Sequence, residues 1–402
     1  MDVVVVGGSF GGLTTAYELR KRLPASECRI TVIARDRRFT FIPSLPWVTM
    51  GYRTLERISF DLAQPLARKD IGFAEETVER IEAAERKVIT DKGEHGYDFL
   101  VLATGHRSAN EAVPGLGPFD GPGHSLMSAA EAVEAAEALQ GLLEEPGPVV
   151  VGCAPGASCI GPAYEFMFEL DHDLRRRKLR HRVPIVLVTP EPHLGHFGIG
   201  GVGKARQFLE GELEERDIKY VTSAAVARIE EDSVALADGS QFPSVYSMII
   251  PPLAGVSAIT ASPGLGNPKG FVPADQHYRH PDFPEIFTVG VAVAMGPVEE
   301  TPVPVNMPKT GHMTEQMATI AARAIVADVR GGTAEARPLS AECILDMGDR
   351  AAHFKADPVR PPRNRMPKLS DGRRWLWAKR AFERYYLARA RRGRTGAASW
   401  GW

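Results

Sequence analysis

Cysteine is scarce in this sequence: Cys28, Cys153, Cys159 and Cys343 are the only four among 402 residues. They are too few and too scattered for a disulfide scaffold or a paired C-x-x-C zinc site, so any cysteine chemistry is local. Long hydrophobic runs are missing too. No stretch reaches the roughly 18 to 20 apolar residues that cross a bilayer, and Val3 to Val6 is far too short for a signal-peptide core; neither a span nor a secretion signal is expected. An excess of one charge is absent, with 48 Lys and Arg against 50 Asp and Glu, which argues against a nucleic-acid-binding surface. That balance conceals an asymmetry: residues 360–402 carry thirteen Lys and Arg against Asp371 and Glu383 alone, and the rest of the chain is acidic. The length accommodates two or three domains.

Asp2 to Val6 is a β-branched run that stops at Gly7-Gly8-Ser9-Phe10-Gly11-Gly12. Leu13, Ala16, Leu19 and Leu23 then recur at helical spacing, and Arg29 to Ile33 returns to buried-strand composition. This is a βαβ unit whose turn presents backbone N–H groups and a positive helix end to a pyrophosphate. The fingerprint keeps Gly7 and Gly12, with Gly8 and Gly11 beside them, but has Ser9 at the middle glycine. Ala34 stands where an acidic ribose ligand is usual, leaving Asp36 as the candidate ribose contact. Ala103-Thr104-Gly105, ending a later apolar strand, resembles the ATG signature of FAD-binding flavoproteins of the disulfide-reductase type, so FAD outranks NAD as the ligand.

The pattern returns at Pro148 to Gly152, where a strand runs into Cys153-Ala154-Pro155-Gly156. Hairpins at Val88–Glu94 and Val234–Ser240, each followed by an apolar strand, complete an internal duplication. The expected architecture is α/β: two Rossmann-like dinucleotide-binding domains of the glutathione-reductase type, the first interrupted by the second, plus a C-terminal amphipathic helical region. The limits are 1–112 and 246–325 for the FAD domain, 113–245 for the second domain with Cys159, and 326–402 for the region with Cys343. The second turn lacks G-x-G-x-x-G, and Pro155 has no N–H to donate, so the electron donor is not expected to be a nicotinamide.

Three segments together resemble sulfide:quinone oxidoreductases, membrane-associated members of the same flavoprotein superfamily: GASCIGPAYEF from Gly156, TPVPVNMPKTGHM from Thr301 and ECILDMGDR from Glu342. HLGHFGIGG from His193 and the tail extend the match. The resemblance implies that Cys159 and Cys343 accept sulfide, carry the growing sulfur chain and pass two electrons to FAD, which a membrane quinone then empties. It places Lys309 at the flavin edge that becomes anionic, and Pro43, Val78, Gly290 and Val291 around FAD. It gives Glu165 a proton-exchange role and His196 an influence on sulfide entry. A third family cysteine is absent from Ser125 to Glu131, which puts covalent FAD attachment in doubt; Cys153 is read as a packed core residue.

A membrane quinone requires a protein at the lipid surface. Between Arg373 and Arg394 nine Lys and Arg and one acid are interleaved with Trp375, Trp377, Phe382, Tyr385 and Tyr386, with Trp400 and Trp402 beyond. Trp375, Ala378, Phe382, Tyr385 and Arg389 are expected on one helix face, and residues 373–394 are expected to bind an anionic lipid surface as a peripheral membrane segment. By the same resemblance Lys368 and Tyr385 border the quinone. Two other readings stand beside this one: a type-II NADH:quinone oxidoreductase, and a flavoprotein subunit of a sulfide dehydrogenase that delivers electrons to a cytochrome. A homo-oligomer is left open.

Overall fold

The computed structural model describes residues 1–117, 121–363 and 368–394; Trp400 and Trp402 lie outside them. The first unit is a five-stranded parallel sheet in the order Ile286–Thr288, Phe99–Leu102, Asp2–Val6, Arg29–Ala34, Gly72–Glu75. Val3 to Val6 are all buried, as a parallel strand covered on both faces requires. Helix Phe10–Arg22 and helix Gly311–Arg330 pack against each other beside the sheet. A small antiparallel sheet, Val78–Glu82, Lys87–Thr90 and Gly93–Gly96, contains the first expected hairpin.

The second unit repeats the plan with strands Gly123–His124, Tyr246–Ile250, Val149–Cys153, Ile185–Val188 and Ile218–Val221, and its own small sheet holds the Val234–Ser240 hairpin. One domain limit changes. Tyr246–Ile250, expected to open the return to the first unit, pairs in parallel with Val149–Cys153, and a strand buried at every position is one covered on both faces inside a sheet. The crossings between units run side by side, Arg107–Ser108 pairing antiparallel with Leu253–Ala254. The limit at 325 also moves, since helix Gly311–Arg330 continues unbroken to a left-handed cap at Gly331.

The C-terminal region is a three-stranded antiparallel sheet, Ala341–Asp346, Ala351–Ala356 and Lys368–Gly372, leading into the tail helix Arg373–Arg391. The inward face of that helix differs from the expected one. Leu376, Glu383, Tyr386, Leu387 and Ala390 are buried, with Lys379 side chain on the same stripe, while Trp377 and Tyr385 are exposed. Of the residues expected on one face, Arg389 is buried, Phe382 is half-buried against Phe41 and Tyr386, and Trp375 is half-buried, while Tyr385 turns outward. Three charged groups, Lys379, Glu383 and Arg389, point inward because partners await them there, so hydrophobicity alone does not mark the face. Among the described residues no helix is long and apolar enough to cross a membrane.

Candidate active site

The first glycine turn is built to its steric limit. Gly7 has φ +116°, and a Cβ there would meet Ala103 O at 2.1 Å; a Cβ on Gly12 would meet Gly7 O at 1.8 Å. Strand end, turn and helix are thus held as close as backbone allows. No side chain caps helix Phe10–Arg22, and Thr104 Oγ1 is buried without a partner among the described residues. An uncapped helix start with a stranded hydroxyl beside the turn fits a bound dinucleotide such as FAD.

From that turn a cavity of about 320 Å³ extends between the two units and the C-terminal region. Phe10, Pro43, Val291 and Lys309 line it, as do Cys159 and Cys343. Cys159 comes from the loop before helix Gly161–Arg176, and Cys343 from strand Ala341–Asp346. Cys343 Sγ lies 4.0 Å from where a Cβ on Gly161 would stand, two residues after Cys159. Both are free thiols. The Cys343 side chain exposes surface to the cavity, yet protein surrounds it in depth, and this enclosure governs its chemistry. Burial, reinforced by Glu165, pushes Cys159 up to about 11 and Cys343 up to about 12. Both are therefore protonated at neutral pH and are weak attacking groups.

Behind the cysteines is a buried acidic cluster. Glu165 lines the cavity and bonds Lys379 of the tail helix. Burial raises Glu165 to about 7, with Lys379 opposing. Burial would depress Lys379, but Glu165, Asp346 and Glu169 hold it above the ordinary value. Asp346 accepts from Trp47 Nε1 at 2.9 Å and from Gly348 N–H at 2.8 Å. Glu169, one turn after Glu165, is raised well above the carboxylate range by burial, so it is a neutral acid. Glu165, at about 7, is poised to exchange a proton near neutrality.

Lys309 is also held in place: its Nζ donates to Val291 O at 2.9 Å and Val293 O at 2.5 Å, over the Phe271 ring. Burial lowers it to about 8. An ammonium here faces the cavity and attracts negative charge developing in it.

The second glycine turn is closed by the protein itself. Gly156 N–H donates to Pro304 O at 2.6 Å, Asn306 donates through its side chain to Gly156 O at 2.7 Å, and Asn306 N–H donates to Ala157 O at 3.0 Å. The loop 301–308 thus takes hydrogen-bonding positions that a second dinucleotide would use. Cys153 beside this turn is fully buried, as a packing residue is.

Other expected site residues fall elsewhere. Gly290, φ +73°, packs against Thr314 where a Cβ would clash, and Val78 opens the small antiparallel sheet. Asp36 is exposed just past its strand and pairs with Arg35. His196, 2% exposed, does not line the cavity. It accepts from Gly198 N–H at Nδ1 and donates through Nε2 to Glu299 at 2.8 Å, fixing the loop from which Phe197 and Ile199 reach the cavity. Burial lowers its pKa, consistent with a neutral structural imidazole. Lys368 is exposed at a strand start, and Tyr385 points outward; Phe382 and Tyr386 line the cavity instead, Tyr386 packed on Phe10 and Phe41.

The lining residues that went unread in the sequence include three titratable groups. His106 follows the ATG segment and is lowered to about 4 by burial and Lys309, so it stays neutral. Glu315, raised to about 7 by burial, pairs with Arg389 at 2.8 Å. Lys379 is the third. A lone carboxylate among Met313, Met317 and Ala318, and a lone lysine in the apolar stripe of the tail, were the available signals.

Two dinucleotide-type units, one open and one plugged, with a pair of cysteines between them, define an oxidoreductase of the pyridine nucleotide-disulphide class; the model of the pyridine nucleotide-disulphide oxidoreductase family matches residues 1–318. The sulfide-quinone reductase of Aquifex aeolicus is 40% identical over 400 residues, 97% of this chain and 91% of that protein. The X-ray structure of the sulfide:quinone oxidoreductase from the same hyperthermophilic bacterium superposes with a TM-score of 0.94 at 39% identity, covering 98% of this chain and 92% of that one. The mitochondrial sulfide:quinone oxidoreductase of Mus musculus is 23% identical over 303 residues, 72% of this chain and 65% of that protein. The chain belongs to the sulfide:quinone oxidoreductases, and FAD is the cofactor of this family.

Proposed function

We propose that this protein oxidises sulfide to sulfane sulfur through Cys159 and Cys343 and delivers two electrons to a membrane quinone. The observation that carries the reading is the convergence of both thiols, Lys309 and Glu165 on the cavity that starts at the first glycine turn. Because both thiols are protonated at neutral pH, hydrosulfide is the attacking group, and its target is a Cys159–Cys343 disulfide. Attack forms one S–S bond and breaks another, giving a persulfide on one cysteine and a thiolate on the other. That thiolate and the persulfide then close a sulfur bridge between the two cysteines, which releases an electron pair and the persulfide proton, the proton going to Glu165 beside Lys379. FAD, when bound, would supply the acceptor for that pair and the two-electron donor to quinone. Gly7, Gly8, Ser9, Gly11, Gly12 and Thr104 would hold its pyrophosphate end, and Lys309 would stabilise negative charge on its reduced ring.

Quinone access fits the aromatic end of the cavity, Phe41, Phe382 and Tyr386, with Ile42 exposed at its edge. The outer face of the tail helix, with Arg373, Arg374, Arg380 and Arg384 around Trp377 and Tyr385, suits reversible attachment to an anionic membrane surface. The plugged second turn favours this reading over an NADH-driven one. The test is anaerobic: sulfide bleaches the flavin absorbance of the purified holoenzyme within seconds, added quinone restores it, and NADH leaves it unchanged. Bleaching by NADH and none by sulfide would reverse the assignment.

A further inference from the structure

Outside the catalytic cavity, a second cavity of about 510 Å³ opens beside the tail helix. Three separate parts of the chain send arginines into it: Arg53 and Arg57 from the segment after helix Leu45–Thr49, Arg176 from the end of helix Gly161–Arg176, and Arg380 and Arg384 from the tail. Arg53 is already engaged, its Nε on both oxygens of Glu383 at 3.0 and 3.1 Å and its guanidinium over the Trp47 ring. Arg57, Arg176, Arg380 and Arg384 have no carboxylate partner among the described residues. Asp346 is the one acid lining the cavity among the described residues, and its oxygens accept from Trp47 and Gly348. Guanidinium groups gathered in a concavity without an anion repel one another, and their forked donors match phosphate oxygens.

The rim identifies the source of the phosphate. Trp377, 66% exposed, lines this cavity, and Tyr385, 55% exposed, is on the same outward helix face. Large aromatic rings left in the open beside a cationic groove suit the headgroup level of a bilayer rather than water. We propose that this groove binds the phosphodiester headgroup of an anionic phospholipid, whose acyl chains leave past Trp377. The proposal rests on the membrane-surface reading above and adds a shaped headgroup site, three of whose lining arginines, Arg53, Arg57 and Arg176, belong to other parts of the fold.

Sedimentation with vesicles of phosphatidylcholine, with and without phosphatidylglycerol, tests it on the full-length holoenzyme. Arg57→Ala/Arg176→Ala weakens binding to the phosphatidylglycerol vesicles about 25-fold, from the contribution expected of each basic residue at an anionic surface. Arg57→Lys/Arg176→Lys keeps the charge and loses the fork, and it also binds at least about 5-fold more weakly. Turnover of sulfide with a water-soluble quinone stays at the parental rate in both variants, so absence of turnover in the parent would sink the functional reading and not this one. Parental vesicle binding by the lysine variant would overturn the proposal in favour of diffuse attraction. Displacement from the vesicles by micromolar glycerol phosphate would overturn it in favour of a soluble phosphate.

Discussion

Cys343→Ser lowers sulfide-dependent quinone reduction by at least about 10³-fold while the purified protein keeps its flavin spectrum. The loss is large because the two cysteines act as one unit: without either, no intramolecular disulfide exists for hydrosulfide to open. The flavin stays because Cys343 comes from the C-terminal sheet and takes no part in the turn from Gly7 to Gly12. Cys159→Ser gives a loss of the same size, and the double variant is no worse than either single one. Steady-state turnover at saturating sulfide, normalised to bound flavin, measures all three. Additive losses would mean that the thiols work separately.

Lys379→Met produces the largest expected loss of stability, about 3–5 kcal/mol, the scale for removing one partner of a buried ion pair. Its ammonium is the cation among Glu165, Glu169 and Asp346. The deficit depends on pH. Burial raises Glu165 in the folded state to about 7, so the stability linked to its protonation is fully present below its unfolded pKa and is lost as pH rises through about 7. Without Lys379 the folded carboxyl titrates higher still. The gap between variant and parent is therefore widest near pH 8 and narrows towards pH 5, where the acid is neutral in both. Denaturant unfolding at the two pH values checks this, and a gap that widened towards acid would refute the ion-pair account. Methionine keeps the apolar length of the lysine stem, so the measurement reports charge rather than a cavity.

The backbone plan was legible because parallel strands and tight turns leave local marks. Val3 to Val6, Gly7, Gly12 and Ala103-Thr104-Gly105 each do a job that few other residues can do, and the structure uses them together. Cys159, Cys343, Glu165 and Lys309 were legible only through motif resemblance, since nothing in their spacing places residues about 180 positions apart on one cavity. The tail was misread for a definite reason. Its inward face carries Lys379, Glu383 and Arg389, whose burial depends on Glu165, Arg53 and Glu315 far away in sequence, so spacing alone does not mark it, and the resemblance selected Tyr385 where Tyr386 is the buried ring. His196, given an influence on sulfide entry by the resemblance, has both ring nitrogens occupied by Glu299 and Gly198, partners that its sequence neighbourhood does not reveal. The plugging of the second turn was half visible, in Pro155, while the role of Pro304 and Asn306 depends on tertiary contact.

The central claim is that the two thiols meet and hold sulfur between them. Mass spectrometry of proteolytic peptides, after one sulfide turnover and blocking of free thiols, tests it directly. The account predicts a cross-linked pair of peptides containing Cys159 and Cys343, joined by a disulfide or by additional sulfur and separated by reductant. Recovery of both peptides unlinked, each blocked as a free thiol, would contradict it.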